Sequence, residues 1–301
     1  MLIVLVMLSQ ISTSTLVDEM TDLDRLTLLP TYTIRQFSSY DRKSHDRENA
    51  KNWFANKDTG NYLRRDGDEF VLAESEGPGA IVRIWSANPH GKLRIYLDGA
   101  IALEEDFGAL LRGHVKEFPA PFGAERSRGC NLYYPFPYAK SMKVTCSEGG
   151  QYYHVNVRTY PKDTPIETFT RKTMPPLPVL LVKAVGEETD SKQLKGPGVV
   201  RSIEIPLPED EAALRSETIE IEVDGKIMVW SPLGVFFGTG PGLVPYYSMV
   251  MGISNTGTGY CYFPLPFQES FRIRVKHPVK MWWTNETRPL RFHAWYRKTK
   301  G

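Results

Sequence analysis

The sequence predicts an all-β protein, built as two jelly-roll-like sandwiches in tandem, and three observations predict it. Segments alternating apolar and polar residues recur after residue 78, a period of two that gives a strand one buried side. Gly 24, Pro 22 and 12% aromatics supply turn residues and side chains that suit a pleated surface. A series of short motifs then occurs twice in the same order, as a duplicated supersecondary unit would.

Taken along the chain, Leu2 to Leu8 is an apolar run followed by the small polar stretch Ser9 to Thr15. No Lys or Arg precedes it, so a signal peptide over 1–15, with export, and a retained cytoplasmic start both stay open. No later segment has the roughly 20 apolar residues of a membrane span. Helices are expected over Val17 to Leu29, Leu103 to Leu111 and Glu209 to Arg215, each bounded by turn or capping residues. Strands are expected over Ala80 to Ser86, Leu93 to Asp98, Met142 to Cys146, Tyr152 to Tyr160, Ile219 to Val223, Tyr260 to Phe263 and Phe271 to Val275. Pro175-Pro176-Leu177-Pro178 cannot join a sheet ladder and reads as a stiff connector. The expected domains are a first jelly roll over 26–172, a connector over 173–198 and a second jelly roll over 199–301.

The repeat pairs Tyr134-Pro135-Phe136-Pro137-Tyr138 and Ser141-Met142-Lys143-Val144 with Phe263-Pro264-Leu265-Pro266-Phe267 and Ser270-Phe271-Arg272-Ile273, at an offset of 129. Val82-Arg83 and Asp98-Gly99 recur as Val200-Arg201 and Asp224-Gly225 at 118 and 126, and Tyr153-His154 with Arg158 recurs as Phe292-His293 with Arg297 at 139. Each Pro-x-Pro belongs at an edge or corner, where the aromatics between the prolines can plug the sandwich end. Each Asp-Gly closes a hairpin, since both residues tolerate positive φ.

Several functions drop out. A net charge of +2 argues against nucleic-acid binding through many phosphate contacts. Cys130, Cys146 and Cys261 are too few for a disulfide scaffold or closed zinc site, and no metal or cofactor is expected. The carboxylate runs Asp66 to Glu69, Glu104 to Asp106, Glu187-Glu188 and Glu209 to Glu211 read as solvated surfaces or helix starts. His154 and Arg158 read as an outward polar face, Gly238 to Gly242 as a turn, and Trp282-Trp283 as core or interface. The stretch from Tyr40 to Tyr62 is long, polar and aromatic, as a sugar site is: a ring stacks on the sugar while polar groups take its hydroxyls. Asp41, Arg42, Trp53, Asn56 and Asp58 are its candidate binding residues. In the competing reading Asp41 and Arg42 pair to pin the loop, and Trp53 fills the sandwich end.

Gln36-Phe37-Ser38-Ser39-Tyr40-Asp41-Arg42, Glu76-Gly77-Pro78-Gly79-Ala80-Ile81-Val82-Arg83-Ile84-Trp85, the Pro-x-Pro segments and Phe236-Phe237-Gly238-Thr239-Gly240 resemble glycoside hydrolase family 172, formerly domain of unknown function 2961, from about Leu26 to Arg297. The resemblance implies a double jelly roll, homo-oligomers that are often trimers, and retaining hydrolysis of α-linked furanosides such as D-arabinofuranosides and fructofuranosides. The family's catalytic glutamates lie in Trp-Trp-Gly-Glu-Gly-Asp-Glu and Gly-Thr-Glu-Asp-Tyr stretches that this sequence lacks, and Val235 stands where the family usually has Asp. No catalytic residue is carried over. The expectation is a non-catalytic portion, inactive alone, with its second sandwich short of strands. The alternatives are a carbohydrate-binding or structural protein without chemistry, and a subunit completed by a neighbouring chain.

Overall fold

The computed structural model describes residues 10–175, 186–239 and 242–285. These form two compact units, one from residues 10–18 and 30–175, the other from 19–29 and 186–285.

The first unit opens with helix α1 (Thr13–Glu19), whose Leu16 packs with Ala80 and Tyr160. Its strands are β1 (Thr33–Ser38), β2 (Arg64–Asp66), β3 (Glu69–Glu76), β4 (Gly79–Ser86), β5 (Lys92–Leu97), β6 (Ala100–Asp106), β7 (Gly123–Arg126), β8 (Gly129–Leu132), β9 (Phe136–Tyr138), β10 (Ser141–Cys146) and β11 (Tyr153–Thr159), with α2 (Ala50–Trp53) after β1 and α3 (Phe107–Leu111) after β6. One sheet runs β1-β11-β4-β8-β7 with β9 on β4, and the other runs β2-β3-β10-β5-β6. The arms β3-β4 and β10-β11 each cross between sheets and pair with each other in both, the wrapped ribbon of a jelly roll. Val71, Ala73, Ile81, Ile84, Ile95, Val144, Val155 and Val157 are fully buried. Phe136, between its prolines, is buried with ring centroids of Phe169, Tyr134 and Phe118 at 4.9, 5.7 and 5.8 Å.

The second unit repeats this plan. Its strands are β12 (Glu187–Thr189), β13 (Gln193–Lys195), β14 (Gly198–Pro206), β15 (Thr218–Val223), β16 (Lys226–Pro232), β17 (Tyr246–Tyr247), β18 (Met251–Ile253), β19 (Thr258–Cys261), β20 (Leu265–Phe267), β21 (Ser270–Arg274) and β22 (Lys280–Asn285), with α4 (Glu211–Ser216) and α5 (Leu233–Phe236). The sheets are β12-β22-β14-β19-β18-β17, with β20 on β14, and β13-β21-β15-β16. β13-β14 and β21-β22 are again the wrapped arms. Ile203, Ile205, Ile221, Phe271, Ile273 and Met281 form the core.

Two interactions recur at the same place in each copy. Asp98 (φ 51) and Asp224 (φ 49) each start a two-residue hairpin, followed by Gly99 and Gly225, also at positive φ. The Asp98 carboxylate accepts the N–H of Ala139, Lys140 and Ser141 at 3.3, 2.7 and 3.0 Å and the Thr168 hydroxyl at 2.5 Å. Asp224 accepts the N–H of Gln268, Glu269 and Ser270 at 3.0, 2.7 and 3.0 Å. Each aspartate thereby ties its hairpin to the corner that leads out of Pro-x-Pro. The aromatic closing each Pro-x-Pro, Tyr138 or Phe267, lies opposite a glycine that opens the central strand, Gly79 or Gly198. A Cβ at Gly79 would collide with the Tyr138 ring, and one at Gly198 would sit 2.7 Å from Phe267.

The structure corrects several expectations. The helix expected over Leu103 to Leu111 is strand β6 as far as Asp106, and only then α3, which Asp106 caps by accepting the Ala109 N–H at 2.7 Å. The helix expected over Val17 to Leu29 is α1 followed by a 3₁₀ turn at Leu23–Thr27. Strands β12 and β13 lie inside the span read as connector. The counterpart of β11 is β22, which pairs with β14 as β11 pairs with β4, so Lys280 and Thr284 correspond to His154 and Arg158. Phe292, His293 and Arg297 of the last echo lie outside the described residues. The Val-Arg echo is out by one residue: the β4 bulge skips Val82 and the β14 bulge skips Arg201.

Burial pushes the Asp98 carboxyl up, but the Thr168 hydroxyl and the three N–H groups outweigh it and hold the group below the usual range; Asp224 is lowered in the same way, against burial, by its own N–H groups. A lowered native pKa gives stability that is complete above the unfolded value of about 3.9 and is lost as pH falls through the native value. Asp98→Ala is expected to cost about 2 kcal/mol at pH 7, with the gap in melting temperature to wild type narrowing at pH 3. An equal gap at both pH values would show that the carboxylate is not its source.

Candidate functional site

The stretch between β1 and β2 is an ordered loop held from within. The Asp41 carboxylate accepts the Lys43 N–H at 3.0 Å and, through its other oxygen, the Lys57 N–H at 3.1 Å. Asp58 accepts the N–H of Asp41 at 2.8 Å. Asn61 donates to the carbonyls of Ser39 and Lys57 at 2.9 and 2.5 Å, and Ser44 donates to that of Ala55 at 2.8 Å. Arg42 donates to the Tyr40 and Ser38 carbonyls at 2.7 and 2.9 Å, and its guanidinium lies 4.0 Å from the Tyr40 ring centroid. The loop base is stitched to the start of β11 by Ser39 N–H to the Tyr153 carbonyl at 3.2 Å and Thr59 Oγ1 to the Gly150 carbonyl at 2.8 Å. The Lys43 N–H, then the Lys57 N–H, hold the Asp41 carboxyl below its ordinary range.

The five candidate residues therefore divide. Asp41, Arg42 and Asp58 are committed to loop backbone. Trp53, 44% exposed, and Asn56, also exposed, stand free of it. The Asp41–Arg42 ion pair of the competing reading does not form, and Trp53 does not fill the sandwich end. Tyr40, Phe54 and Tyr152 are exposed aromatics of the same region that were not singled out. Their apolar or repeated-strand context hid them: only the three-dimensional course of the loop turns them outward.

The other constellations are structural. His154 stacks on Trp85 with centroids 4.7 Å apart, and burial followed by the Arg83 charge lowers its pKa. Arg83 donates to Asn131 at 3.1 and 3.3 Å and to Asn156 at 3.5 Å, and Asn156 donates to Gln36 at 3.2 Å. This closed row crosses the outer face of four strands. The acidic runs are mostly paired: Asp66 with Lys143 at 2.9 Å, Glu104 with Lys92 at 3.0 Å, Glu105 with Arg171, and Glu188 with Lys280 at 3.0 Å. Asp106 and Asp210 cap helices. Cys130, Cys146 and Cys261 are free and buried. Among the described residues no three His, Cys, Asp or Glu side chains are placed to hold a metal ion, and no helix is long and apolar enough to cross a membrane.

Two sandwiches of one plan, related by duplication, make this a double-sandwich protein of the jelly-roll class. Residues 30–175 match the GH172 first beta-sandwich domain, and residues 181–285 match a family described as GH172 domain-like. The chain belongs to glycoside hydrolase family 172 and is a glycoside hydrolase-like protein. No curated protein matches it. Among solved structures it is similar to the major capsid protein P2 of bacteriophage PM2, at 8% identity over 85% of this chain and 99% of that one with a TM-score of 0.26. It is also similar to a conserved protein of unknown function from Pseudomonas aeruginosa PAO1, at 10% identity over 83% and 97% with a TM-score of 0.19. At such scores neither likeness bears on fold or function.

If Asp41 is the loop's internal clamp, Asp41→Ala should speed amide hydrogen exchange across residues 41–58 while leaving β4 and β11 protected. Trp53→Ala should leave exchange in the loop as it is. Unchanged exchange in the Asp41 variant would return that carboxylate to the list of free binding groups.

Proposed function

We propose that the first sandwich binds α-linked furanosides, of D-arabinofuranose or fructofuranose type, on the loop between β1 and β2, and that the chain alone does not hydrolyse them. The observation that carries this reading is the division among the candidate residues of the loop: Asp41, Arg42 and Asp58 hold its backbone, while Trp53 and Asn56 face water. An already ordered platform loses less conformational freedom when a ligand binds. An exposed indole offers a face to the sugar's C–H surface, and the amide can donate to and accept from its hydroxyls. Retaining hydrolysis needs two carboxyl groups about 5–5.5 Å apart, one of them free to attack. Asp41 and Asp58 are occupied by N–H groups and serve neither role.

Trp53→Ala should weaken binding of p-nitrophenyl α-D-arabinofuranoside about tenfold by calorimetry, a loss typical of an aromatic anchor. His154→Ala should bind as wild type does, and wild type should release no nitrophenolate above a buffer blank. Equal affinity in wild type and the Trp53 variant would remove the loop as a site, and turnover abolished by one carboxylate substitution would overturn the absence of chemistry.

We further infer that the chain self-associates, as a trimer, through edge strand β16. Its register makes Trp230 the counterpart of Glu104 on β6. Glu104 guards its edge with charge and pairs with Lys92 and Arg94, whereas Trp230 is 68% exposed beside exposed Ile227 and Met228. An apolar edge strand offers both backbone groups and side chains to another strand. Light scattering should find wild type trimeric and Trp230→Glu monomeric; a monomeric wild type would end this reading.

A further inference from the structure

The outer face of the second sandwich carries a cluster that the first sandwich does not. Glu204 on β14 stands opposite Tyr260 on β19 and Lys280 on β22. Its inward neighbours Ile203 and Ile205 are buried, so Glu204 points away from the core. Lys280 pairs with Glu188 at 3.0 Å and lies 5.7 Å from the Trp282 ring centroid. Tyr260 and Tyr262 have ring centroids 5.2 Å apart, and the Tyr260 hydroxyl is engaged with the Ser248 N–H and carbonyl at 3.2 and 3.0 Å. Among the described residues the Glu204 carboxyl and the Tyr262 hydroxyl make no hydrogen bond. Ser202, two residues back on the same face, is fully buried with an unpartnered hydroxyl.

The duplication supplies an internal comparison. Register makes Glu204 the counterpart of Trp85, Lys280 of His154, Tyr260 of Asn131, Ser202 of Arg83 and Trp282 of Asn156. In the first sandwich this row satisfies itself, with ring on ring and Arg83 bridging two asparagines. In the second, the same row leaves the Glu204 carboxyl without a hydrogen bond among the Tyr260, Tyr262 and Trp282 rings, and Tyr262, the counterpart of exposed Tyr133, now stands beside that acid. Burial pushes the Glu204 carboxyl up, Lys280 pulls it back and Glu188 pushes it further; burial, then Glu204, raises Tyr262.

We propose that the outer face of β14, β19 and β22 is a second sugar-binding site, where Glu204 and Tyr262 take hydroxyls of a neutral saccharide that lies against the neighbouring aromatic rings. The mixed charge selects the ligand class. A cation meets Lys280, an anion meets Glu204 and Glu188, and a neutral polyol meets donors, acceptors and ring faces without repulsion. Carboxylate and phenol together suit neighbouring hydroxyls, each of which donates and accepts. The choice of a furanoside as ligand rests on the proposed function above.

The test is calorimetry of the whole chain with α-1,5-linked arabinofuranotriose. Wild type should show two sites. Trp53→Ala should lose the loop site, Glu204→Ala should lose the second, and Tyr262→Phe should weaken the second about fivefold with an unchanged melting curve. Tyr262→Phe, which removes one oxygen, keeps the test decisive if Glu204→Ala folds poorly. A single site lost in Trp53→Ala and untouched in Glu204→Ala and Tyr262→Phe would overturn this inference and leave the loop reading standing. A single site lost in Glu204→Ala and weakened in Tyr262→Phe, but kept in Trp53→Ala, would support it and sink the loop reading. No binding at all would overturn both.

Discussion

Asp98 and Asp224 sit where a short polar side chain tolerates left-handed backbone, and from there each carboxylate reaches the three N–H groups of the next corner. A Pro-x-Pro segment supplies few donors of its own, so the chain leaving it needs an outside acceptor for the N–H groups that follow. The aspartate is that acceptor. Once hairpin and corner are joined, the register of β10 on β5 and of β21 on β15 is set, because Asp98 and Asp224 also donate their own N–H to the Ser141 and Ser270 carbonyls at 2.8 Å. With that register fixed, Tyr138 and Phe267 fall over glycines, which alone leave room for a ring at the start of the central strand.

The two copies keep these ties and their buried faces, and differ where side chains point outward. Ile84 and Ile203, Ile95 and Ile221, Val144 and Ile273 hold equivalent core positions. At equivalent outer positions Trp85 is replaced by Glu204, His154 by Lys280 and Glu104 by Trp230. Core positions are constrained by packing, since one methylene too many or too few is felt at native density. Outer positions answer only to what lies against them. Differences of function between the sandwiches therefore belong on the outer faces and in the loops.

Much of this plan is legible in the sequence, because a half-buried strand writes a period of two and an Asp-Gly hairpin writes itself in two letters. The failures have identifiable physics. Leu103, Phe107, Leu110 and Leu111 have helical spacing, yet residues 100–106 are drawn into the sheet by pairing with β5, and the helix begins only at the Asp106 cap. Short-motif matching carries no knowledge of bulges, so Val82-Arg83 was set against Val200-Arg201 across a skipped residue. Gly77-Pro78-Gly79 and Gly196-Pro197-Gly198 carry the true offset of 119, because the ring seated on the second glycine of each fixes the position. The loop was harder. Asp41, Arg42 and Asp58 have the composition of a sugar site and also that of a loop that must satisfy its own backbone, and composition does not separate the two.

That ambiguity has a physical source. A loop of this length has more backbone donors and acceptors than any sheet edge nearby can meet, and leaving them unmet costs more than leaving a ligand unbound. The Asp41 and Asp58 carboxylates are drawn to N–H groups first; among the candidate residues, what the backbone does not use is an indole face and an exposed amide. The same ordering governs the two outer faces. In the first sandwich Arg83 brings enough donors to occupy Asn131 and Asn156, and the row closes on itself. In the second, Ser202 stands in place of Arg83 and brings one hydroxyl, too short a donor to bridge the row, while Glu204 stands in place of Trp85 and sets a carboxyl where the first sandwich has a stacked ring.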